Sequence, residues 1–183
     1  MATCFRPGMT HKQYFSAIDK AFNIKNFIND GFVKVCNVRQ TGSKLKPLWE
    51  YTNIRKDVMF SEHRSWVYFI VLDTRIVKVG ETGQPLGIDV GGQPGKSSKS
   101  RLGRYRSGDG TDHNIRAELR PHLAAGQTVS FWVRECQTIV QEEIVNGIPR
   151  EIENTLHKNL EQHYLQHFKD YTNRLPDLNK STK

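Results

Sequence analysis

The chain has 183 residues, of which 37% are hydrophobic, and it carries a formal net charge of +8 at pH 7. That length favours one compact domain with additions, and the hydrophobic content is enough for a core. No apolar run reaches the roughly 18 residues that a membrane-spanning helix needs, so a membrane protein is not expected. The positive charge favours a polyanionic partner such as nucleic acid, although many basic proteins bind none.

The N-terminus and the cysteines indicate the compartment. Residues 1–10 lack the apolar core of a secretion signal,. Cys4, Cys36 and Cys136 are odd in number and are not spaced as metal ligands,. We therefore expect reduced thiols in a cytoplasmic protein.

Residues 1–63 are interpreted as an N-terminal extension. Apolar residues at helical spacing predict a helix from His11 to Ile28, which Asn29-Asp30-Gly31 ends,. A short strand is predicted at 32–38 and a polar loop at 39–46. The extension has 10 Lys or Arg and 5 Asp or Glu. Either a DNA-contacting arm or a packed cap fits this composition.

Residues 64–183 are predicted to form the second unit, and its clearest local signal is a β-hairpin at 66–80. Strand side chains alternate between two faces, so Tyr68 and Lys78 are predicted to share one face. This match requires a three-residue connection centred near Thr74, because a two-residue turn would shift the register. The residues predicted to share the opposite, buried face are Val67, Phe69, Val71, Val77 and Val79.

A Gly-, Ser- and Pro-rich loop at 83–100 follows the hairpin. Loops of this length inside a compact domain are often functional. The loop leads into a basic segment, 96–106, which contains no acidic residue. Both a solvated loop with a helix start and a phosphate-binding segment are consistent with it. Its cationic residues are Lys96, Lys99, Arg101, Arg104 and Arg106.

Three further elements complete the chain. A helix is predicted over 112–125 with its stop at Gly126, and a third strand over 128–135. A last helix is predicted over 150–168, beginning after Pro149. Its core-facing stripe is Ile152, Leu156, Leu160, Tyr164 and Phe168. The C-terminus is predicted to be frayed apart from 176–179.

Two patterns suggest other chemistries but do not meet their requirements. Residues 91–98 are similar to a phosphate-binding P-loop, but Val90 stands where that motif requires its first glycine. On the last helix, His157 and Glu161 lie on one side, roughly opposite the two later histidines. One ion cannot be held from both sides, so solvated histidines are expected rather than a four-ligand zinc site.

A succession of five motifs indicates a specific function. Tyr68 and a Lys78-Val79-Gly80-Glu81-Thr82 run occupy the hairpin, and Arg101-x-x-x-Tyr105 follows. After the third strand come Leu160-Glu161 on a helix and finally Pro176-x-x-Asn179. In this order, over about 66–179, the chain resembles the GIY-YIG nuclease family.

Each half of the family's name motif is present in altered form. The Gly-Ile-Tyr half is present as Trp66-Val67-Tyr68, and the Tyr-Ile-Gly half as Lys78-Val79-Gly80. Trp66 replaces the usual Gly. Lys78 replaces the usual Tyr, which is similar to a subset that includes some type II restriction enzymes.

The resemblance implies an α+β fold with a three-stranded antiparallel sheet flanked by helices. It also implies hydrolysis of double-stranded DNA with one Mg²⁺, for which Mn²⁺ can substitute, and no covalent intermediate. By resemblance, Tyr68 is the general base, Lys78 favours its phenolate, and Arg101 neutralises the scissile phosphate. Glu161 binds the metal, Tyr105 orients water or backbone, and Asn179 positions the helix or the phosphate. DNA contacts are expected from Lys96, Lys99, Arg104 and Arg106.

Two assignments have rivals within the chain. Arg104 competes with Arg101 for the catalytic position, because the segment after Gly80 is longer than the family core usually has. Glu153 competes with Glu161 for the metal position. Arg101 and Glu161 are preferred because their surroundings resemble the family's helices better.

The resulting expectation is a type II restriction endonuclease that acts as a homodimer, because cutting both strands of a palindrome calls for two-fold symmetry. The alternatives are a phage, repair or homing nuclease with looser specificity, a non-catalytic DNA-binding module, and a structural or RNA-binding protein.

Overall fold

The computed structural model describes residues 11–49, 54, 56–59, 64–87, 100–107 and 111–179. The helices are α1 (His11–Ala21), α2 (Lys56–Met59), α3 (Arg101–Ser107), α4 (Thr111–Ala124) and α5 (His157–Thr172), with a 3₁₀ turn at Ile24–Phe27. The strands are β1 (Val33–Thr41), β2 (Lys44–Trp49), β3 (Ser65–Leu72), β4 (Arg75–Thr82), β5 (Val129–Cys136), β6 (Thr138–Val145) and β7 (Ile148–Thr155). None of the helices in these ranges has the length and apolar character of a membrane span.

The central sheet has five antiparallel strands in the order β2-β1-β5-β3-β4. The α+β class is therefore confirmed, but the expectation of three strands is wrong. β3, β4 and β5 are the three predicted strands. β1 and β2, from the predicted N-terminal extension, add to the free edge of β5. The part of the extension that the structure describes thus contributes to the same sheet as the rest of the chain.

The predicted polar loop at 39–46 is the end of the β1–β2 hairpin. Thr41 pairs with Lys44, so only Gly42 and Ser43 connect the strands. The side chains around this turn are exposed, which explains their polar character. Exposed strand ends carry no apolar alternation, so the sequence pattern gave no strand signal there.

Helices cover both faces of the sheet, so β3 is buried on both sides from Ser65 to Val71. On one face, α3 and α4 pack over Tyr68 and its neighbours on β5. On the other face, α1 and α5 pack over Phe69. There the Phe69 ring stacks on Phe32 with centroids 4.0 Å apart, and Phe22 stacks on Phe168 at 4.6 Å. Offset aromatic contacts of this kind add to the burial of apolar area.

The β3–β4 hairpin forms as predicted, but with a different connection. Only Asp73 and Thr74 connect the strands, since Leu72 pairs with Arg75. A β-bulge then shifts the register by one residue, so that Ile70 pairs with Lys78,. The bulge compensates for the short turn, so that Lys78 and Gly80 of β4 share a face with Tyr68 and Ile70 of β3.

The bulge also changes which β4 residues are buried on each face. Val77, predicted to lie with Phe69, packs instead in the core that contains Tyr68. Ile76 lies beside Val79, in the place that was predicted for Val77. The prediction for Val77 is wrong because alternation does not continue through a bulge.

The predicted N-terminal helix is interrupted before its end. α1 stops at Ala21, and the backbone of the next residues pairs with the outer edge of β4. The Ile24 amide donates to the Thr74 carbonyl at 2.8 Å, and the Ile76 amide donates to the Phe22 carbonyl at 2.7 Å. These bonds require extended backbone, so the helix cannot continue through them.

The helix predicted over 150–168 begins later, at His157, and Pro149 lies in β7. Residues 138–155 form a separate two-stranded sheet instead. Its turn is Asn146-Gly147, with φ of 55° and 79°. Asn-Gly between apolar residues is a strong hairpin signal, because both turn positions need positive φ. The sequence interpretation missed it.

Other elements agree with the expectations. α4 and β5 match the predicted helix and third strand within one or two residues, and Gly126 follows α4 with φ of 80°. Cys36 and Cys136 are both buried, and neither is in a disulfide within the described part of the chain. Burial raises the pKa of the Cys136 thiol to about 11, which keeps it protonated and unreactive near neutral pH.

Candidate active site around Tyr68 and Arg101

The site is built on the cross-strand pair of Tyr68 and Gly80, which face each other on β3 and β4. The Tyr68 side chain is fully buried at 0% exposure, and its ring end lies directly over Gly80. A Cβ atom on residue 80 would overlap both the hydroxyl oxygen and the Cζ of Tyr68. Glycine is therefore needed here for space, and the absent side chain fixes the position of the tyrosine hydroxyl.

α3 brings Arg101 and Tyr105 to that hydroxyl from one face, one helical turn apart. Arg101 donates to the Tyr68 oxygen from Nε at 2.9 Å and from Nη2 at 2.6 Å. Nη2 also donates to the Tyr105 oxygen at 3.1 Å. The two hydroxyl oxygens are 2.8 Å apart. A guanidinium in this position stabilises negative charge on the Tyr68 oxygen.

The Tyr68 and Tyr105 hydroxyls share one hydrogen bond, in which either oxygen can be the donor. A tyrosine oxygen has two lone pairs and one proton, so each hydroxyl can both donate and accept. The two hydroxyls form a short path along which a proton can leave Tyr68.

A lysine and a carboxylate complete the charged groups of the site. Lys78 pairs with Ile70 across the hairpin and so shares the face of Tyr68. Glu161 lies on α5, half-buried, and its carboxylate is within electrostatic range of both Lys78 and Arg101. The structure thus brings together the four residues that the sequence singled out, from β3, β4, α3 and α5.

The pKa of Glu161 is raised above its ordinary value. Burial is the larger cause, and the negative charge of Glu81 adds to it. Lys78 and Arg101 act in the opposite direction but do not cancel these effects. A carboxylate held in this way is costly to ionise in the protein alone, and a further cation would relieve that cost.

Asn179 lies beside the site and is bound to β4. Its side-chain amide donates to the Val79 carbonyl at 2.8 Å, and its Oδ1 accepts from the Val79 amide at 2.7 Å. The Leu178 amide donates to the Val77 carbonyl at 2.8 Å. Asn179 therefore completes the outer edge of β4 like a short added strand, and this contact positions β4.

His157 is a member of the site region that the sequence interpretation missed. It was expected to be a solvated histidine, but it is only 8% exposed, and its Nε2 lies 3.1 Å from a carboxylate oxygen of Glu81. This pair anchors the start of α5 to the end of β4, next to Gly83. No local pattern could have found the pair, because its two members come from distant segments.

The two candidate arginines and the two candidate glutamates lie in different surroundings. Arg101 donates two hydrogen bonds to Tyr68. Glu161 is within range of the site cations, whereas Glu153 lies on the separate β6–β7 hairpin. Arg104 is half-buried on α3.

The remaining predicted DNA contacts are only partly described. Arg106 lies on α3, but its side chain is outside the described part of the chain. Lys96, Lys99 and most of the predicted loop, 88–99, lie outside the described residues.

Among solved structures, the chain is similar to that of a bacteriophage T4 EndoII mutant. The identity is 14% and the TM-score 0.54, over 80% of this chain and 95% of that chain. It is also similar to the restriction endonuclease HPY188I in complex with product DNA, with 15% identity and a TM-score of 0.42, over 93% and 96% of the two chains. The first likeness shows a shared fold. No protein-family model and no curated protein sequence matches the chain.

Gly80→Ala is expected to destabilise the protein by about 1–3 kcal/mol, the usual range for overpacking a core site. The new methyl group would displace the Tyr68 ring and with it the hydrogen bonds to Arg101. Urea unfolding followed by circular dichroism measures the change. Gly83→Ala is the matched control, since its nearest neighbour would be His157 Cε1 at 3.6 Å, an ordinary contact. Equal stability of the two variants would contradict the close packing of Tyr68 on Gly80.

Proposed function

We propose that this chain is a Mg²⁺-dependent endonuclease of the GIY-YIG type that hydrolyses phosphodiester bonds in double-stranded DNA. The observation that carries the proposal is the guanidinium of Arg101 bound to the hydroxyls of Tyr68 and Tyr105 over Gly80. Lys78 and the carboxylate of Glu161 lie within electrostatic range of one another beside it. This set contains a base, phosphate-binding cations and a metal-binding oxygen.

Tyr68 is proposed as the general base. Hydrolysis needs a group that takes a proton from the attacking water. Arg101 stabilises a phenolate at this position, and the bond to Tyr105 gives the tyrosine proton an exit. Lys78 adds a second positive charge on the same face.

Arg101 has a second part in this proposal, as the ligand of the scissile phosphate. Its planar fork suits two phosphate oxygens, and phosphate is a stronger acceptor than a neutral hydroxyl. In the protein alone, the arginine covers the buried Tyr68 hydroxyl. A phosphate that shares the guanidinium with the tyrosine loosens the cover over the hydroxyl, so that the attacking water can reach this oxygen while the positive charge stays beside it.

Glu161 is proposed to hold the metal ion. Its environment fits a cation, because burial and the charge of Glu81 both oppose ionisation of the carboxylate in the protein alone. Mg²⁺ binds through one or two carboxylates and keeps most of its waters. When bound, the ion supplies charge stabilisation for the phosphate and the departing oxygen.

We further propose a homodimer, as a type II restriction enzyme on a palindromic site requires. The β6–β7 hairpin supports it, since it leaves large apolar side chains in solvent and Ile144 is 76% exposed. Residues 138–155 contain four glutamates and one arginine. This acidic surface is unfavourable against DNA but complements a second copy of a basic chain. The exposed apolar residues are Ile139, Val140, Ile144 and Ile148.

The test of the proposed activity is plasmid digestion with Mg²⁺ or Mn²⁺, followed by sequencing of the ends. Glu161→Gln is expected to lower the cutting rate by at least about 10²–10³-fold, a usual loss when one transition-state contact is removed, while DNA binding remains. Asp170→Asn, an exposed change on the same helix, is the matched control. A single short recurring site supports restriction, and dispersed cuts support the looser-specificity nucleases. A wild-type protein that binds DNA but never nicks it is a binding module instead.

The same substitution has a stability signature without metal. The raised pKa of Glu161 means that its neutral form is favoured by folding, so stability is lost as pH rises through that pKa,. Glutamine does not ionise, so Glu161→Gln avoids this loss of stability. The substitution should therefore raise the melting temperature at pH 7 in the presence of EDTA. The difference between variant and wild type should shrink towards pH 4, which differential scanning calorimetry measures.

Arg101→Lys and Arg104→Lys distinguish the two candidate arginines. Lysine keeps the charge but not the fork, so Arg101→Lys should lower the single-turnover cleavage rate by about 10²-fold or more with little change in DNA affinity. Arg104→Lys should change the cleavage rate by less than about fivefold. The reverse ranking would transfer the catalytic assignment to Arg104.

Ile144→Lys tests the proposed dimer surface. The position is exposed, so the variant should fold, but a charge in an apolar interface opposes association. Light scattering after gel filtration should give twice the chain mass for the wild type and the single-chain mass for the variant. Lys158→Glu, an exposed change on α5, is the control. A monomeric wild type at micromolar concentration would overturn the dimer proposal.

A further inference from the structure

A cavity of about 520 Å³ opens directly beside the catalytic cations. Lys78 and Arg101 line one side of it, and α4 lines the other. Volumes of this size are typical of sites for small organic groups. The proposed hydrolysis uses Lys78 and Arg101 but gives no role to the α4 residues of this lining, and any nucleotide whose phosphate is held by Arg101 must lie next to them.

The wall formed by α4 is polar and available for binding. Asn114, Glu118 and His122 recur every four residues and so lie on one face of the helix,. Asn114 and Glu118 are exposed and make no hydrogen bond to any residue in the described ranges. The wall thus offers an amide, with donor and acceptor, beside a carboxylate that only accepts.

His122 is fixed at the far end of this wall. Gln127 Nε2 donates to Asp73 at 3.0 Å, so its Oε1 is the acceptor that faces His122 Nδ1 at 2.7 Å. The histidine therefore carries its proton on Nδ1. This chain of bonds ties the end of α4 to the β3–β4 turn and holds the wall in place.

The floor of the cavity is apolar. Five aliphatic side chains form it, contributed by β3, β4, α4 and the segment after α5. A flat hydrophobic group would bury its face against such a floor. The floor residues are Leu72, Val77, Ile115, Leu119 and Leu178.

Shape distinguishes two ways of contacting a base. A base that stays stacked presents only its edge, and proteins read such edges with a convex helix or ribbon inserted into a groove. Here the surface is concave, with an apolar floor and a polar wall. A base that has left the stack presents a face and an edge together, as in enzymes that bind unstacked nucleotides. The cavity matches the second case.

The negative charge of Glu118 limits which bases the cavity can bind. Glu118 would repel phosphate, but a carboxylate accepts hydrogen bonds from an exocyclic amino group. Cytosine, adenine and guanine carry such a group on the edge that an unstacked base exposes, whereas thymine carries none. We propose that this cavity receives an unstacked amino-bearing base, which is cytosine, adenine or guanine, next to the scissile phosphate, with Glu118 and Asn114 reading its edge. The inference rests on the proposed function, because Arg101 must hold the adjoining phosphate.

The first experiment measures unstacking directly. Duplexes carrying 2-aminopurine at successive positions are mixed with the wild-type protein in EDTA, so that binding proceeds without cutting. Because the probe lacks the 6-amino group, we expect a several-fold rise in fluorescence when it is the stacking neighbour of the base that adjoins the cleavage site, and none at positions a helical turn away. A flat response at every position of a bound duplex would overturn the inference.

The second experiment tests the reading residue. In the preferred cleavage site, the adjoining cytosine, adenine or guanine is replaced by 2-pyrimidinone, purine or hypoxanthine, which lack the amino group. The wild type should cut the analogue about 10-fold or more slowly, in line with the 1–3 kcal/mol usual for one base contact. Glu118→Ala, which removes the acceptor, should cut both substrates at nearly equal rates, and Asp170→Ala should discriminate like the wild type. Unchanged discrimination by Glu118→Ala would overturn the assignment.

The two proposals fail in different ways. Cutting without a fluorescence response or discrimination would leave the endonuclease in place and remove the base cavity. A localised fluorescence response without cutting in Mg²⁺ or Mn²⁺ would support the cavity and remove the hydrolytic function.

Discussion

The geometry of the site depends on one contact, in which the Tyr68 hydroxyl lies over Gly80 under the guanidinium of Arg101. A phenol oxygen in a fully buried position needs partners, and the arginine and Tyr105 supply them,. The contact exists only if Tyr68 and Gly80 are opposite each other. The two-residue turn at Asp73-Thr74 alone would not give that register, and the bulge in β4 restores it. The bulge is therefore part of the site, as bulges near active sites often are.

β4 is the edge strand of the sheet, and it carries both Lys78 and Gly80. An exposed edge is flexible and prone to pair with other chains. Here two distant segments cover it, one at 22–24 and the other at Leu178 and Asn179. Both segments form hydrogen bonds to β4 through backbone or side-chain amide groups. These hydrogen bonds hold β4 in place where the charged groups meet. In this way, segments distant in the sequence contribute to a site formed by the middle of the chain.

The sequence predicted the elements whose apolar residues follow a regular period, namely the β3–β4 hairpin, α4 and β5. It also grouped Tyr68, Lys78, Arg101 and Glu161 as one candidate site; in the fold Arg101 bonds to Tyr68, and Glu161 interacts electrostatically with Lys78 and Arg101. The sequence-based predictions were wrong where the backbone pairs with residues that are distant in the chain. The bulge and the interruption after α1 both result from bonds across the sheet. β6 and β7 are rich in Glu and Gln, which favour helices, and their apolar residues also fit a helical stripe, so the Asn146-Gly147 turn was overlooked.

The charged groups around α5 act on one another. Glu161 and Glu81 repel each other, Lys78 and Arg101 attract Glu161, and His157 holds Glu81. Replacing any one of these groups changes the cost of ionising Glu161 without touching its carboxylate. The protein therefore accepts lower stability in order to keep a partly buried carboxylate beside two cations. Such a cost is typical of residues placed for binding or chemistry rather than for folding, since a glutamine would fill the same space more favourably.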